Sequence, residues 1–406
     1  MRLVFVNHAH PETPHVSGMR LGHFADAMAR RGHAVILLTA SLPERNVVNA
    51  EVHAELGKLA ERDWGAPLVV PVRPQTYRPV EVVRQRALPS VLRRALTAWL
   101  FVRHGGVFAD WTLAALPVAQ RIAEEFKPDL VWATFGNTSN LWLAQSIAKH
   151  AGCPWVMDVK DNWEAFVPVG LRQVMARRFS DAAGMTSNAR HHQLVASRWL
   201  KVLNYAVIYS GVGETFFAAE SHEPDEAAQR DIVLVGSTYD EDRLSECLGA
   251  LSAWLAALPP RELERIRFVY AGSDHVRVRA LLARSPLPCQ VEINGQLPLQ
   301  QLASCCKRAL VNCYLWAPSG FHHKLLELLV AGAPVVAYPG EHEESLNFAA
   351  STTTPFFVCA DAIALRDAFA QVWKRQAALA DDRVTPPWRW DDFAEELEAF
   401  FFRVRT

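Results

Sequence analysis

Short, wholly apolar runs alternate with amphipathic stretches along most of this 406-residue chain. The run "RLVFVNH" near the start reads as a buried strand. A loop with Pro11, Pro14 and Gly18 follows. Then "RLGHFADAMARRGH" carries Leu21, Phe24, Ala25 and Met28 at helical spacing, with Gly32 placed as a C-cap. The next run, "AVILLTA", is again apolar throughout, as strands covered on both faces are. This β-loop-α-β unit predicts the start of a parallel sheet. The pattern recurs in "VAQRIAEEFKPDLVWATF" and "LWLAQSIAKHAGCPWVMDV", and "KVLNYAVIYSGV" holds the last strand of this half.

A polar, acidic stretch, "AAESHEPDEAAQRD", breaks the pattern. A second series then begins at "IVLVGSTYD" and runs through "RIRFVYAGSD", "CQVEINGQL", "ALVNCYL" and "PVVAYP". The length also exceeds one ordinary core. The expectation is an α/β protein of two Rossmann-like, doubly wound domains facing a central cleft, residues 1–209 and 210–385. The tail, 386–406, places Phe393, Leu397, Phe400 and Phe401 on one helical face, so it is expected to pack back on the first domain.

Composition narrows the function classes. Half the residues are hydrophobic, 21% are charged and the formal net charge is -1, which excludes a disordered chain and a global basic field for nucleic acid. The seven cysteines show no zinc spacing and read as reduced thiols of a cytoplasmic protein. The longest charge-free stretch, Leu130 to Ala148, contains Asn137, Thr138, Ser139, Asn140 and Gln145, so it does not read as membrane-spanning. One local exception to the charge balance stands out. Residues 73–103 carry seven arginines against the single acid Glu81, with Leu92, Leu96, Trp99, Leu100 and Phe101 between them. Such a segment suits peripheral contact with the inner face of an anionic membrane, or else is a solvated helix with a core-facing stripe.

Ligands of open α/β sheets bind beyond the C-terminal strand ends, where helix N-termini favour phosphate. Four stretches lie at such places. In the loop after the first strand, Gly18 lets the backbone approach a ligand and Arg20 offers positive charge; the alternative is a plain turn glycine. In "GSTYDEDR", Gly236 opens a turn and Arg243 is within reach of a diphosphate, or is a surface charge. In "PSGFHHKLLELLVAGAPVVAYP", a helix from about Phe321 to Ala331, closed by Gly332, is apolar all round except for one strip holding His323, Lys324 and Glu327. Lys324 suits phosphate as a point charge, and Glu327 suits two sugar hydroxyls; the alternative is a Lys324–Glu327 surface pair. In "VMDVKDNWE", Asp158, Lys160, Asp161 and Glu164 cluster at a strand end, where Asp161 would orient an acceptor hydroxyl or only cap a helix. Asn137 reads as a helix cap, and His191 and His192 as structural. No Gly-x-Gly-x-x-Gly follows the first strand, which argues against a nicotinamide dehydrogenase.

These stretches together resemble the GT-B glycosyltransferases, more narrowly the retaining glycosyltransferase family four. "SGFHHKLLELLVAGAPVVA" is similar to the family's Glu-x7-Glu region, matching at Phe321, Glu327, Gly332 and Pro334 to Ala337. "IYSGVGETFF" resembles its hinge motif, "VEINGQLPLQQL" its base-side loop at Gly295, and "DVKDNWE" an Asp-x-Arg-Asp-x-Trp stretch. The resemblance implies an acceptor-binding first domain and a donor-binding second domain. It implies transfer of a sugar, with retention, from a nucleoside-diphosphate sugar to a hydroxyl of a glycan or glycolipid, in cell-surface polysaccharide or glycoconjugate biosynthesis. No cofactor is implied beyond that co-substrate, and no metal. Glu327 would bind the donor ribose, Gly18 and Arg243 would lie near its diphosphate, and Ser319, Gly320 and Phe321 are further donor-binding candidates. Lys324, Asp161 and His322 are the candidate catalytic residues. Ser319 and His322 stand where the family has Glu and Gly, and Ser237 where it has Arg. A sugar-nucleotide epimerase of the same fold and a non-catalytic sugar-nucleotide-binding protein remain as alternatives.

Overall fold

The structure, a computed structural model, describes residues 1–13, 16–45, 49–218, 229–316, 320–375 and 386–405. The chain divides into two units, Met1–Ser210 with Trp390–Thr406, and Gly211–Arg389. Pro14, Ser319 and most of the acidic break lie outside the described residues.

The apolar runs become strands of two all-parallel sheets. The first is ordered β3 (Leu68–Val72), β2 (Ala34–Ala40), β1 (Arg2–Val6), β4 (Leu130–Phe135), β5 (Trp155–Val159), β6 (Gly184–Ser187), β7 (Asn204–Val207). The second is ordered β10 (Gln290–Asn294), β9 (Ile266–Ala271), β8 (Arg230–Val235), β11 (Val311–Leu315), β12 (Val335–Tyr338), β13 (Phe356–Val358). Strands β3, β6 and β13 were not apparent in the sequence pattern. β3 and β13 lie at sheet edges, where Pro71 is tolerated within β3, and β13 and the interior β6 are only three and four residues long.

Each sheet reverses its winding once, at β1/β4 in the first and β8/β11 in the second. These switch points open crevices at the C-terminal strand ends. In the first unit one side chain pins the point: Asn140 accepts from the His8 N–H (3.0 Å) and donates to Asn7 Oδ1 (3.1 Å) and to the Thr134 carbonyl (2.8 Å).

The terminal helix Trp390–Arg405 belongs to the first unit. Phe401 sits edge-on to Phe5 and Trp132 at centroid separations of 6.2 and 6.1 Å, and Phe393, Leu397 and Phe400 are buried with it. Glu398, from the same helix, takes Arg31 and His33 of the segment between the first helix and β2.

Arg20 is a correction to the sequence reading. It is fully buried and faces no ligand crevice. Its guanidinium forks onto Asp158 at 2.9 and 2.9 Å and reaches Ser210 Oγ (3.1 Å) and the Ile208 carbonyl (2.9 Å). Thr134 and Thr186 donate their hydroxyls to the same carboxylate at 3.2 and 2.8 Å. Arg20 therefore ties the helix Val16–Arg30 to β4, β5, β6 and the end of the unit. A buried guanidinium is tolerated because its donors are so well matched.

Candidate functional site

The second unit's switch point gathers most of the chemistry. Beyond β8, the chain turns at Gly236 (φ +86°), and Tyr239 adopts a left-handed backbone (φ +54°) that is rare outside glycine. Next to it, the turn after β9 holds Gly272, where a Cβ would lie 2.2 Å from the Gly236 carbonyl oxygen, so only glycine lets the two turns meet. Asp274 then accepts from the Thr238 N–H (2.7 Å) and hydroxyl (3.1 Å), locking both loops. The result holds the exposed Tyr239 ring against Trp316, which leaves the end of β11 (5.0 Å between centroids).

His322 completes this aromatic group. It stacks on Tyr314 (5.8 Å, 15° between planes) and lies 4.3 Å from the Trp316 ring. The Tyr314 hydroxyl in turn donates to the Glu341 carboxylate. Burial, then the nearby Lys324 and His323, push the His322 imidazole down to about 3, so it is neutral at ordinary pH.

One turn further, the predicted polar strip is present. The helix Lys324–Ala331 starts three residues later than its sequence pattern predicts, with His323 as its N-cap, and ends at Gly332. Its leucines are buried on all sides. Lys324 Nζ lies 2.6 Å from Glu327 Oε2, with side chains 22% and 10% exposed, and His323 Nε2 lies 3.9 Å from Glu327 Oε1. Burial alone would raise the Glu327 carboxyl, but Lys324 outweighs it and holds the group below the usual carboxylate range. Lys324 is the mirror case: burial pulls it down, and Glu327 more than offsets this. A charged pair thus sits at the mouth of the crevice, with a planar aromatic group beside it. The pair is not the fully solvated surface contact of the alternative reading.

The remaining sequence candidates scatter. Gly320 accepts a hydrogen bond from Trp316 Nε1 (2.6 Å) and lies by the same group. Phe321 faces inward instead, packing on Phe348 at 5.2 Å. Gly295 follows β10 near His275. Arg243 is on the helix Glu241–Leu255, paired with Glu246 at 3.5 Å and 47% exposed. Ser319 lies outside the described residues. In the first unit, a Cβ on Gly18 would lie 2.3 Å from the His10 carbonyl oxygen, so that glycine serves the close packing of its own loop. Asp161 pairs with Lys160 at 2.6 Å at the end of β5, and His192 lies among the same charges, its imidazole pushed down to about 4 chiefly by burial. Asn137 caps the helix Thr138–Ala151 through its side chain. Tyr239, Tyr314, Trp316 and Glu341 were not singled out in the sequence. Tyr239 and Trp316 share one signal: each is an aromatic within four residues after a buried strand.

His322 and His192 give a pH expectation. Both stay neutral in the folded chain, whereas unfolded they take up protons below their ordinary 6.5. The unfolded state binds more protons there, so stability falls as pH drops from about 6.5 toward 4 and is flat above that range. Urea titrations at pH 7.5 and about 5 should show the loss, and His322→Gln should reduce it. An equal loss in that variant would remove His322 as a source.

Comparisons with known proteins agree with this fold. No protein-family model and no curated protein sequence matches the chain. Among solved structures, sucrose-phosphate synthase from Thermosynechococcus elongatus superposes with a TM-score of 0.60 at 15% identity, covering 99% of this chain and 96% of that one. The Anabaena protein HepE, solved in complex with UDP and glucose, gives 0.55 at 16% identity, covering 99% and 100%. UDP-GlcNAc 2-epimerase from Methanocaldococcus jannaschii gives 0.54 at 10%, covering 99% and 100%. The chain is an α/β protein of the GT-B fold, built from two Rossmann-like parallel sheets.

Proposed function

We propose that this protein is a glycosyltransferase that takes a sugar from a nucleoside-diphosphate donor, UDP-linked by analogy with the HepE complex, and passes it to a hydroxyl of a glycan or lipid-linked acceptor. One observation carries the reading. The Lys324–Glu327 pair is the polar strip of an otherwise buried helix, and it opens at the switch point of the second sheet beside Tyr239, Trp316 and His322. The resemblance to family four supports retention of configuration.

In this reading Glu327 accepts the two ribose hydroxyls, and Lys324 turns its ammonium to the diphosphate. As the anomeric C–O bond breaks, negative charge grows on the leaving diphosphate, and a fixed cation there lowers the barrier. The acceptor oxygen bonds to the anomeric carbon as that C–O bond breaks, and its proton passes to an oxygen of the leaving diphosphate. His322, neutral, donates or accepts a hydrogen bond at the sugar but carries no charge. Asp161, paired with Lys160 at 2.6 Å, is the carboxylate of the first unit proposed to orient the acceptor hydroxyl.

The test is release of UDP from UDP-sugars with and without a panel of glycan and lipid-linked acceptors. Acceptor-dependent release is expected, and Lys324→Ala should lower it by roughly 100-fold or more. Conversion of the donor without any acceptor would identify an epimerase instead, an activity also found on this fold. Donor binding with no turnover would identify a binding protein.

A further inference from the structure

We propose that the first unit carries a docking surface for an anionic lipid bilayer, formed jointly by the helix Ser90–His104 and the segment 166–178. The inference is independent of the donor site.

The helix Ser90–His104 is built inside out on one side. Leu100, Phe101 and His104 are buried against the unit. Val91, Leu92, Trp99 and Val102 recur at helical spacing on the opposite side and are all exposed, Val91 at 73%. Single exposed apolar residues are ordinary, but a stripe three turns long is not. Arg94 and Arg103 are exposed at the two edges of this stripe, and neither makes an ion pair among the described residues. Such a helix matches an interfacial one, apolar on the face turned to lipid and cationic at its flanks.

The neighbouring segment continues the surface, which the sequence alone did not show. Arg178 Nη1 donates to the Val102 carbonyl at 3.2 Å, so the helix Arg172–Arg178 lies alongside the stripe. Val174, one turn earlier on the same side, is exposed, as are Val169 at 75% and Phe166. Arg177 adds a further exposed cation. Two adjacent elements thus expose apolar side chains beside Arg94, Arg103 and Arg177, which make no ion pair among the described residues. The charge points to one occupant: the helix Ser90–His104 and the segment 166–178 hold six arginines and no acid in a chain of net charge -1, and anionic headgroups complement them. No helix among the described residues is long and apolar enough to cross the membrane, so contact would be at the surface.

The experiment is co-sedimentation of the full chain with phosphatidylcholine vesicles, with and without phosphatidylglycerol. Pelleting with the phosphatidylglycerol vesicles, weakened by high salt, is expected. Arg94→Glu with Arg103→Glu should reduce it at least roughly tenfold, and Val169→Asp with Val174→Asp should do the same while leaving every arginine in place. All variants should keep the circular dichroism and the UDP thermal shift of the parent, which separates failure here from failure of the donor reading. The proposal is overturned by absence of pelleting, by equal pelleting on phosphatidylcholine alone, or by indifference to both variant pairs. A dimer in sedimentation velocity that Val169→Asp with Val174→Asp dissolves would overturn it too, since the patch would then be a contact between copies.

Discussion

Glu327→Ala is expected to abolish the thermal stabilisation of the protein by UDP while leaving it folded. A ligand at 100 times its dissociation constant adds about 2.7 kcal/mol to stability. Hydrogen bonds to a charged group contribute about 1.5–3 kcal/mol each. Losing roughly 3 kcal/mol of binding weakens affinity by about 150-fold, so the same UDP concentration would add only ~0.3 kcal/mol. The cost to the apo fold is smaller. Glu327 gives up its pair with Lys324 and a longer contact with His323 at a partly open strip, and the helix around it is held by buried leucines. A melting curve with and without UDP reads both effects at once. Glu327→Gln, which keeps the shape, should retain a small shift. A full-size shift in Glu327→Ala would remove the ribose assignment and with it the donor reading of this strip.

The second large effect concerns stability alone. Asp158→Ala should destabilise the first unit by about 3–5 kcal/mol, because it leaves the Arg20 guanidinium buried without its counter-charge. It also strips Thr134 and Thr186 of their shared acceptor. That is a large share of the 5–15 kcal/mol that typically holds a domain together, so low soluble yield or a strongly lowered unfolding midpoint is expected. The double replacement Arg20→Met with Asp158→Leu should recover much of the loss, since two apolar side chains of similar bulk need no partner. If Asp158→Ala unfolds at the parent's midpoint, the network is not holding the unit.

The two residues around which these experiments turn were legible in the sequence to different degrees. Glu327 stood out because a lone carboxylate among leucines needs a reason, and local periodicity alone places Lys324 and Glu327 on one strip. Arg20 carried the opposite lesson. Its position after a loop glycine suggested a ligand contact, but its partner is Asp158, far along the chain, and no local pattern encodes that pairing. Phe321 matched a site motif and yet packs inward on Phe348. The aromatic group was missed for a similar reason: Tyr239, Trp316 and His322 meet only because β8 and β11 are neighbours in the sheet.

What the sequence determined by itself was local and periodic. Continuous apolar runs read as strands covered on both faces, amphipathic stretches between them as their covering helices, and two such series predict two parallel sheets. Tertiary structure decided which strands lie side by side. That choice creates the switch points and buries Arg20 on Asp158, while Arg178 is brought against the Val102 carbonyl. Each of these depends on a contact between residues distant in the chain, whose energy is realised only when the sheet order brings them together.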